Sequence, residues 1–183
     1  MIMSGRFRLA PAAQARLARL APCLMLVALA SCGKESPPPP ASMTYGGLPV
    51  SGSVADARRA GFTKCISDGD AVSCRREGMF LEGHGPFSAG VDLEGEDGAG
   101  GFSHLTLWHP TDQSALVAVT GKLRKQGWSE CLTPEGSRWA DQAIYQQKDA
   151  PVFIALELSY WSTRKLTVHP ASPGNIPQCR ANE

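Results

Sequence analysis

Apolar residues fall at every second position along two stretches of the chain. Phe87, Ala89, Val91 and Leu93 alternate with Ser88, Gly90, Asp92 and Glu94, and Val152, Ile154, Leu156 and Leu158 share one phase with Glu157 in the other. A period of two predicts strands of a sheet with one buried face. Further strands are expected at 62–67, 71–75, 78–82, 102–109, 140–147 and 163–169, with turns at Asp68-Gly69, 95–101 and 160–162. Two stretches follow helical spacing instead. Residues 53–60 form a short helix with Ser53 as N-cap and Gly61 as its stop. Residues 112–126 form a longer one, capped by Thr111 and ended by Gly127, with Leu116, Val119 and Leu123 on one face. Lys122, Arg124 and Lys125 in its last turns complement the helix dipole.

The same order of motifs recurs. Gly61-Phe62-Thr63-Lys64-Cys65-Ile66 matches Gly127-Trp128-Ser129-Glu130-Cys131-Leu132. The alternating segments from Pro86 and Pro151 match, and Leu105-Thr106-Leu107-Trp108-His109-Pro110 matches Leu166-Thr167-Val168-His169-Pro170 with Trp108 as an extra residue. The offsets are 66, 65 and 61, so order and spacing are nearly kept. The expected fold class is α+β: two tandem helix-plus-antiparallel-strand repeats, at 52–110 and 111–183, with the helices packed on one face of the sheet and two disulfides. In outline this is similar to the tandem-repeat β-lactamase inhibitor proteins and to small α+β lipoproteins of outer-membrane assembly, in architecture and not in any residue motif.

The N-terminal 31 residues have a different character. Arg6, Arg8, Arg16 and Arg19 precede an apolar run over 20–30, and no acidic residue is present. Eleven apolar residues are too few to cross about 30 Å of hydrocarbon as a helix, but they suit the core of a signal peptide. The run ends in Leu29-Ala30-Ser31-Cys32, which resembles the lipobox of bacterial lipoprotein precursors. The resemblance implies acylation of Cys32 through its sulfur, cleavage before it, and a further acyl chain on the freed amine. Two or more chains anchor stably, at about 0.8 kcal/mol per buried methylene. Gly33 follows the cysteine where Asp would favour the inner membrane, so the resemblance implies the periplasmic face of the outer membrane. Residues 32–51 read as the lipidated cysteine and a tether, because Pro37-Pro38-Pro39-Pro40 favours extended polyproline II.

Charge and cysteines narrow the classes further. From Cys32 onward the chain has 14 basic and 17 acidic residues, with no basic cluster, so nucleic acid is not an expected partner. Outside the leader and the anchor lie Cys65, Cys74, Cys131 and Cys179. In an oxidising compartment they suggest two disulfides, with three connectivities open. Cys65–Cys74 across a hairpin and Cys131–Cys179 pinning the tail are the favoured pairs. No C-x-x-C pair points to zinc, and neither a metal nor a cofactor is expected.

Candidate chemistry is sparse. His104 and His109 lie five apart on one expected strand, hence on opposite faces. His109 and His169 precede prolines and are expected to end strands and bond locally. Asp92, Glu94 and the glycine-rich 95–101 segment lack the order of a calcium loop. Ser162-Thr163-Arg164-Lys165 fits S-x-x-K but enters a strand, whereas that chemistry needs a helix start. Trp128 and Trp139 are expected in the core, while Tyr160 and Trp161 sit at a hairpin tip, where they either fold back over the core or the other repeat or form an interface. The expected function is non-catalytic: a lipid-anchored periplasmic lipoprotein that docks on or inhibits an envelope protein. The alternative is an envelope small-ligand or glycan binder, and a histidine-based hydrolase ranks third.

Overall fold

Eight antiparallel strands make one sheet. The computed structural model describes residues 38–134, 142–158 and 163–179. In chain order the elements are β1 (Met43–Tyr45), β2 (Leu48–Ser51), α1 (Val54–Arg59), β3 (Lys64–Ser67), β4 (Ala71–Leu81), β5 (His84–Glu94), β6 (Leu105–Trp108), α2 (Ala115–Lys125), β7 (Ser129–Leu132), β8 (Gln142–Gln146), β9 (Val152–Glu157) and β10 (Leu166–Pro170). The large sheet has the order β3-β4-β5-β6-β10-β9-β8-β7, and β1 and β2 pair separately. The chain therefore enters the sheet at either edge and meets itself where β6 pairs with β10.

The period-two pattern explains which face is covered. Phe87, Ala89, Val91 and Leu93 of β5 join Leu105, Leu107, Val152, Ile154, Leu156, Leu166 and Val168 in one buried cluster. Ala57 of α1 and Leu116, Val119 and Leu123 of α2 complete it. Each such large side chain contributes roughly 1.5–3 kcal/mol on full burial. Trp128 is also buried there, with its ring edge-on to Tyr45 at 6.1 Å.

Local chemistry sets the element ends. At α1 the Ser53 hydroxyl accepts from Asp56 N–H while the Asp56 carboxylate accepts from Ser53 N–H, a reciprocal box that satisfies two orphan donors. Gly61 follows the helix at φ +86°, a conformation costly for any residue with a Cβ. Arg76 donates to the terminal Ala60 carbonyl. The β4–β5 turn is Glu82-Gly83, both at positive φ, as the twist of a two-residue hairpin requires. The sequence had split β4 in two. It is one strand whose register shifts between Arg76 and Met79.

Several expectations need correction. The α+β class with two tandem helix-plus-strand repeats does not hold: of the described residues 46% are strand and 13% helix, in an eight-stranded sheet with two helices. The matched motifs do not build matched units. β4 and β5 have 11 residues each, against 5 and 6 in β8 and β9, and α1 has 6 against 11 in α2. The tether does not extend to 51, because β1 and β2 fold there with Leu48 and Val50 buried in the main cluster. Helix α2 begins at Ala115, not 112. The backbone N–H groups of Thr111 and Asp112 donate to His109 Nδ1, and Asp112 accepts from Ser114, which holds 111–114 in a turn. The cysteines pair as Cys65–Cys74 and Cys131–Cys179. Cys32, Trp139, Tyr160 and Trp161 lie outside the described residues.

Candidate functional site

The face of the sheet away from the two helices carries the polar phase of β4, β5, β6 and β10 and an apolar set on β8 and β9, and strand register arranges it. One row crosses all eight strands: Lys64, Arg75, Gly90, Thr106, Thr167, Ala155, Ile144 and Cys131 stand opposite one another in turn. The row divides into two halves with different fates.

The half at β8 and β9 is covered. Ile144, Phe153 and Ala155 form a second buried cluster, against which Cys131 and Ala171 pack. The C-terminal tail closes it. Cys179 bonds Cys131, Gln146 donates to the Pro177 carbonyl at 3.2 Å, and Asn175 donates to the Pro170 carbonyl at 2.7 Å.

The half at β4, β5, β6 and β10 is open. It forms a groove of about 690 Å³ whose lining includes Arg75, Asp92, His104, Trp108, Thr163 and Lys165. Gly90, Thr106 and Thr167 make a low floor. The Trp108 indole leans over Gly90, where a Cβ would lie 3.2 Å from the ring. The Arg75 guanidinium sits 5.6 Å from the ring centroid of Trp108, a cation–π contact. One pair further along the same face of β4 and β5, Ser73 donates to Asp92 Oδ1 at 2.6 Å. Among the described residues Arg75 and Lys165 enter no ion pair, so both cations face the groove without a carboxylate partner.

The histidines separate. His104 stacks on His169 at 5.0 Å, and His169 stacks in turn on Phe153 at 4.8 Å, joining the groove wall to the covered half. Burial holds the His104 imidazole below its ordinary pKa, against the opposing pull of the Asp92 and Glu94 carboxylates. His109 lies on the opposite side, edge-on to Phe87, with Nδ1 accepting from Asp112 N–H at 2.8 Å. His169 bonds locally, with Nε2 and the Thr167 hydroxyl 3.0 Å apart. His84 opens β5 next to the hairpin turn. Among the described residues no group of three or more His, Cys, Asp or Glu side chains is placed to hold a metal ion.

Of this groove's lining the alternating pattern places only Gly90 and Asp92 on the solvent face of a strand, and Arg75 and Thr106 carry no signal of a site. The one signal that could have flagged it is Trp108, a large aromatic in the polar phase of β6. Chemically the arrangement offers two cations without an ion pair among the described residues, one engaged carboxylate, several hydroxyls and an indole, which suits holding an anionic group beside an apolar surface. No protein-family model, curated protein or solved structure matches the chain.

Proposed function

We propose that the chain is a lipid-anchored binding protein of the bacterial envelope that docks on or inhibits another envelope protein without catalysing a reaction. The observation that carries this reading is the half-covered sheet face: the chain's own tail occupies one half of a residue row, and the other half is open, concave and polar. The signal-peptide pattern and Leu29-Ala30-Ser31-Cys32 support anchoring through an acylated Cys32 on the periplasmic face of the outer membrane. Tyr160 and Trp161 belong to the proposed interface, because only Ser162 separates them in the chain from groove-lining Thr163. Hydrolysis by His109 is disfavoured, since its Nδ1 is already an acceptor for two backbone N–H groups.

A second reading, a small carbohydrate or other envelope ligand, draws on the groove volume, which falls within the range of roughly 300–1,000 Å³ usual for ligand pockets, and on the indole flanked by threonines. Photo-crosslinking in living cells separates the two, with probes placed at 161 and 163. A single dominant protein adduct at both positions is the expected result. No adduct from folded, lipidated protein sinks docking and leaves the ligand reading.

A further inference from the structure

The open groove discriminates by charge. Arg75 enters from β4 and Lys165 from the segment just before β10, and both line the groove with the Trp108 indole. Both side chains are exposed, and neither forms an ion pair among the described residues. Lys64 stands beside Arg75 in the same row on the edge strand. The one carboxylate of the lining, Asp92, accepts from Ser73 and stands one pair along β5 from the Arg75–Gly90 pair on the same face. An anion above the indole would thus meet two cations against one carboxylate that Ser73 already engages, on a surface already shaped by Gly90.

The shape favours an extended polypeptide over other anions. Four strands at about 4.8 Å spacing give a floor of roughly 14 Å from β4 to β10, the reach of four or five extended residues. The row continues through Ala155 and Ile144 under the C-terminal segment, so the same face already accommodates the chain's own tail in its other half. Thr106, Thr163 and Thr167 line the groove and supply hydroxyls, the Thr167 hydroxyl being already paired with His169 Nε2.

We infer that the groove receives an extended segment of the partner protein bearing an aspartate or glutamate, whose carboxylate sits between Arg75 and Lys165 over Trp108. This rests on the docking reading above and names the chemistry of the docked segment.

The test uses the full chain, purified in detergent from a bacterial envelope, against a fluorescein-labelled array of randomised heptapeptides grouped by central residue. The expected result is selection of Asp and Glu over Asn, Gln and Lys at one position. Arg75→Gln and Lys165→Gln should each weaken the selected peptides about tenfold, the usual scale for one charge-assisted hydrogen bond. Arg75→Lys and Lys165→Arg should restore most of the binding, and raising ionic strength from about 0.05 to about 0.5 M should weaken it. Peptide binding with no acidic preference, or unchanged in the double Gln variant, overturns the inference and leaves docking standing. If no peptide binds while a uronic-acid oligosaccharide does, and Trp108→Leu abolishes that binding, both the inference and the docking reading fail. Equal melting temperatures of the exposed-site variants and the parent exclude misfolding as the cause of any loss.

Discussion

Gly90→Ala separates the stability of the sheet from the shape of the groove. Gly90 has no positive φ, so alanine is compatible with its backbone. In a strand interior the change from glycine gains about 0.5–1 kcal/mol by restricting the unfolded chain. Against this, the new Cβ would stand 3.2 Å from Trp108 Cζ3 and 3.4 Å from Cη2, closer than such contacts settle. These are the far atoms of a half-buried ring, so the indole shifts rather than the backbone. The shift loosens the contact with Arg75, and an exposed cation–π pair is worth about 0.5–1 kcal/mol. The two terms oppose and nearly cancel, so urea unfolding should place the variant within about 0.5 kcal/mol of the parent. Gly90→Val adds two methyl groups at the same point and should displace the ring outright, changing the Arg75 Nε resonance in an NMR spectrum while the core strands stay folded. A loss of more than about 2 kcal/mol for Gly90→Ala would refute the reasoning, because it would mean that the indole is locked in place and the groove floor is part of the rigid core.

The remaining expectations are independent of the groove's occupant. Ser53→Ala removes the capping box of α1 and should cost about 1 kcal/mol in urea unfolding; the Asp56 carboxyl, held at about 2 by the Ser53 donors first and Arg59 after them, keeps the box intact above 3.8 and loses it as pH falls through about 2. Replacing Cys131 and Cys179 with alanine should cost more than replacing Cys65 and Cys74, since the bridged separations are 48 and 9 residues, or about 4 against about 2.5 kcal/mol in the chain-entropy model; equal losses would count against it. His104 is held below 6.5, so the unfolded chain binds more protons than the folded one as pH drops past that value, and stability present above it is lost below it. In unfolding series at about pH 7.5 and about pH 5.5, His104→Gln should flatten that slope. Cys32→Ala should abolish incorporation of labelled palmitate and release the protein from membrane fractions; retained label would remove the anchor.

The strands that surround the groove were legible individually and their alignment was not. Alternation in 87–93 and 152–158 identifies β5 and β9, and it sorts Ser88, Gly90, Asp92 and Glu94 onto the face away from the core. It cannot say that Gly90 stands between Arg75 and Thr106, or that Thr106 faces Thr167, because register is a property of pairs of strands separated by up to 61 residues. The recurring motifs invited one reading of that long-range order, as matched helix-plus-strand units. The unequal hairpins overturn it: β4 and β5 run on to 81 and 84 through a two-residue turn, while β8 and β9 stop short. The β1–β2 hairpin had a local signal in Tyr45-Gly46-Gly47-Leu48, which the neighbouring proline run masked. Trp108 shows the same limit at one residue. In the motif comparison it was an unmatched insertion; in the sheet it is the side chain that overhangs a glycine and meets an arginine. A polar phase containing an indole, a glycine two strands' width from a lysine, and an arginine beside that glycine becomes a site only once the sheet is assembled. The chemistry of the groove therefore depends on the β5–β6 and β6–β10 pairings. A change that slips β6 by one residue would turn Trp108 into the core and dismantle the groove, even with every lining residue retained.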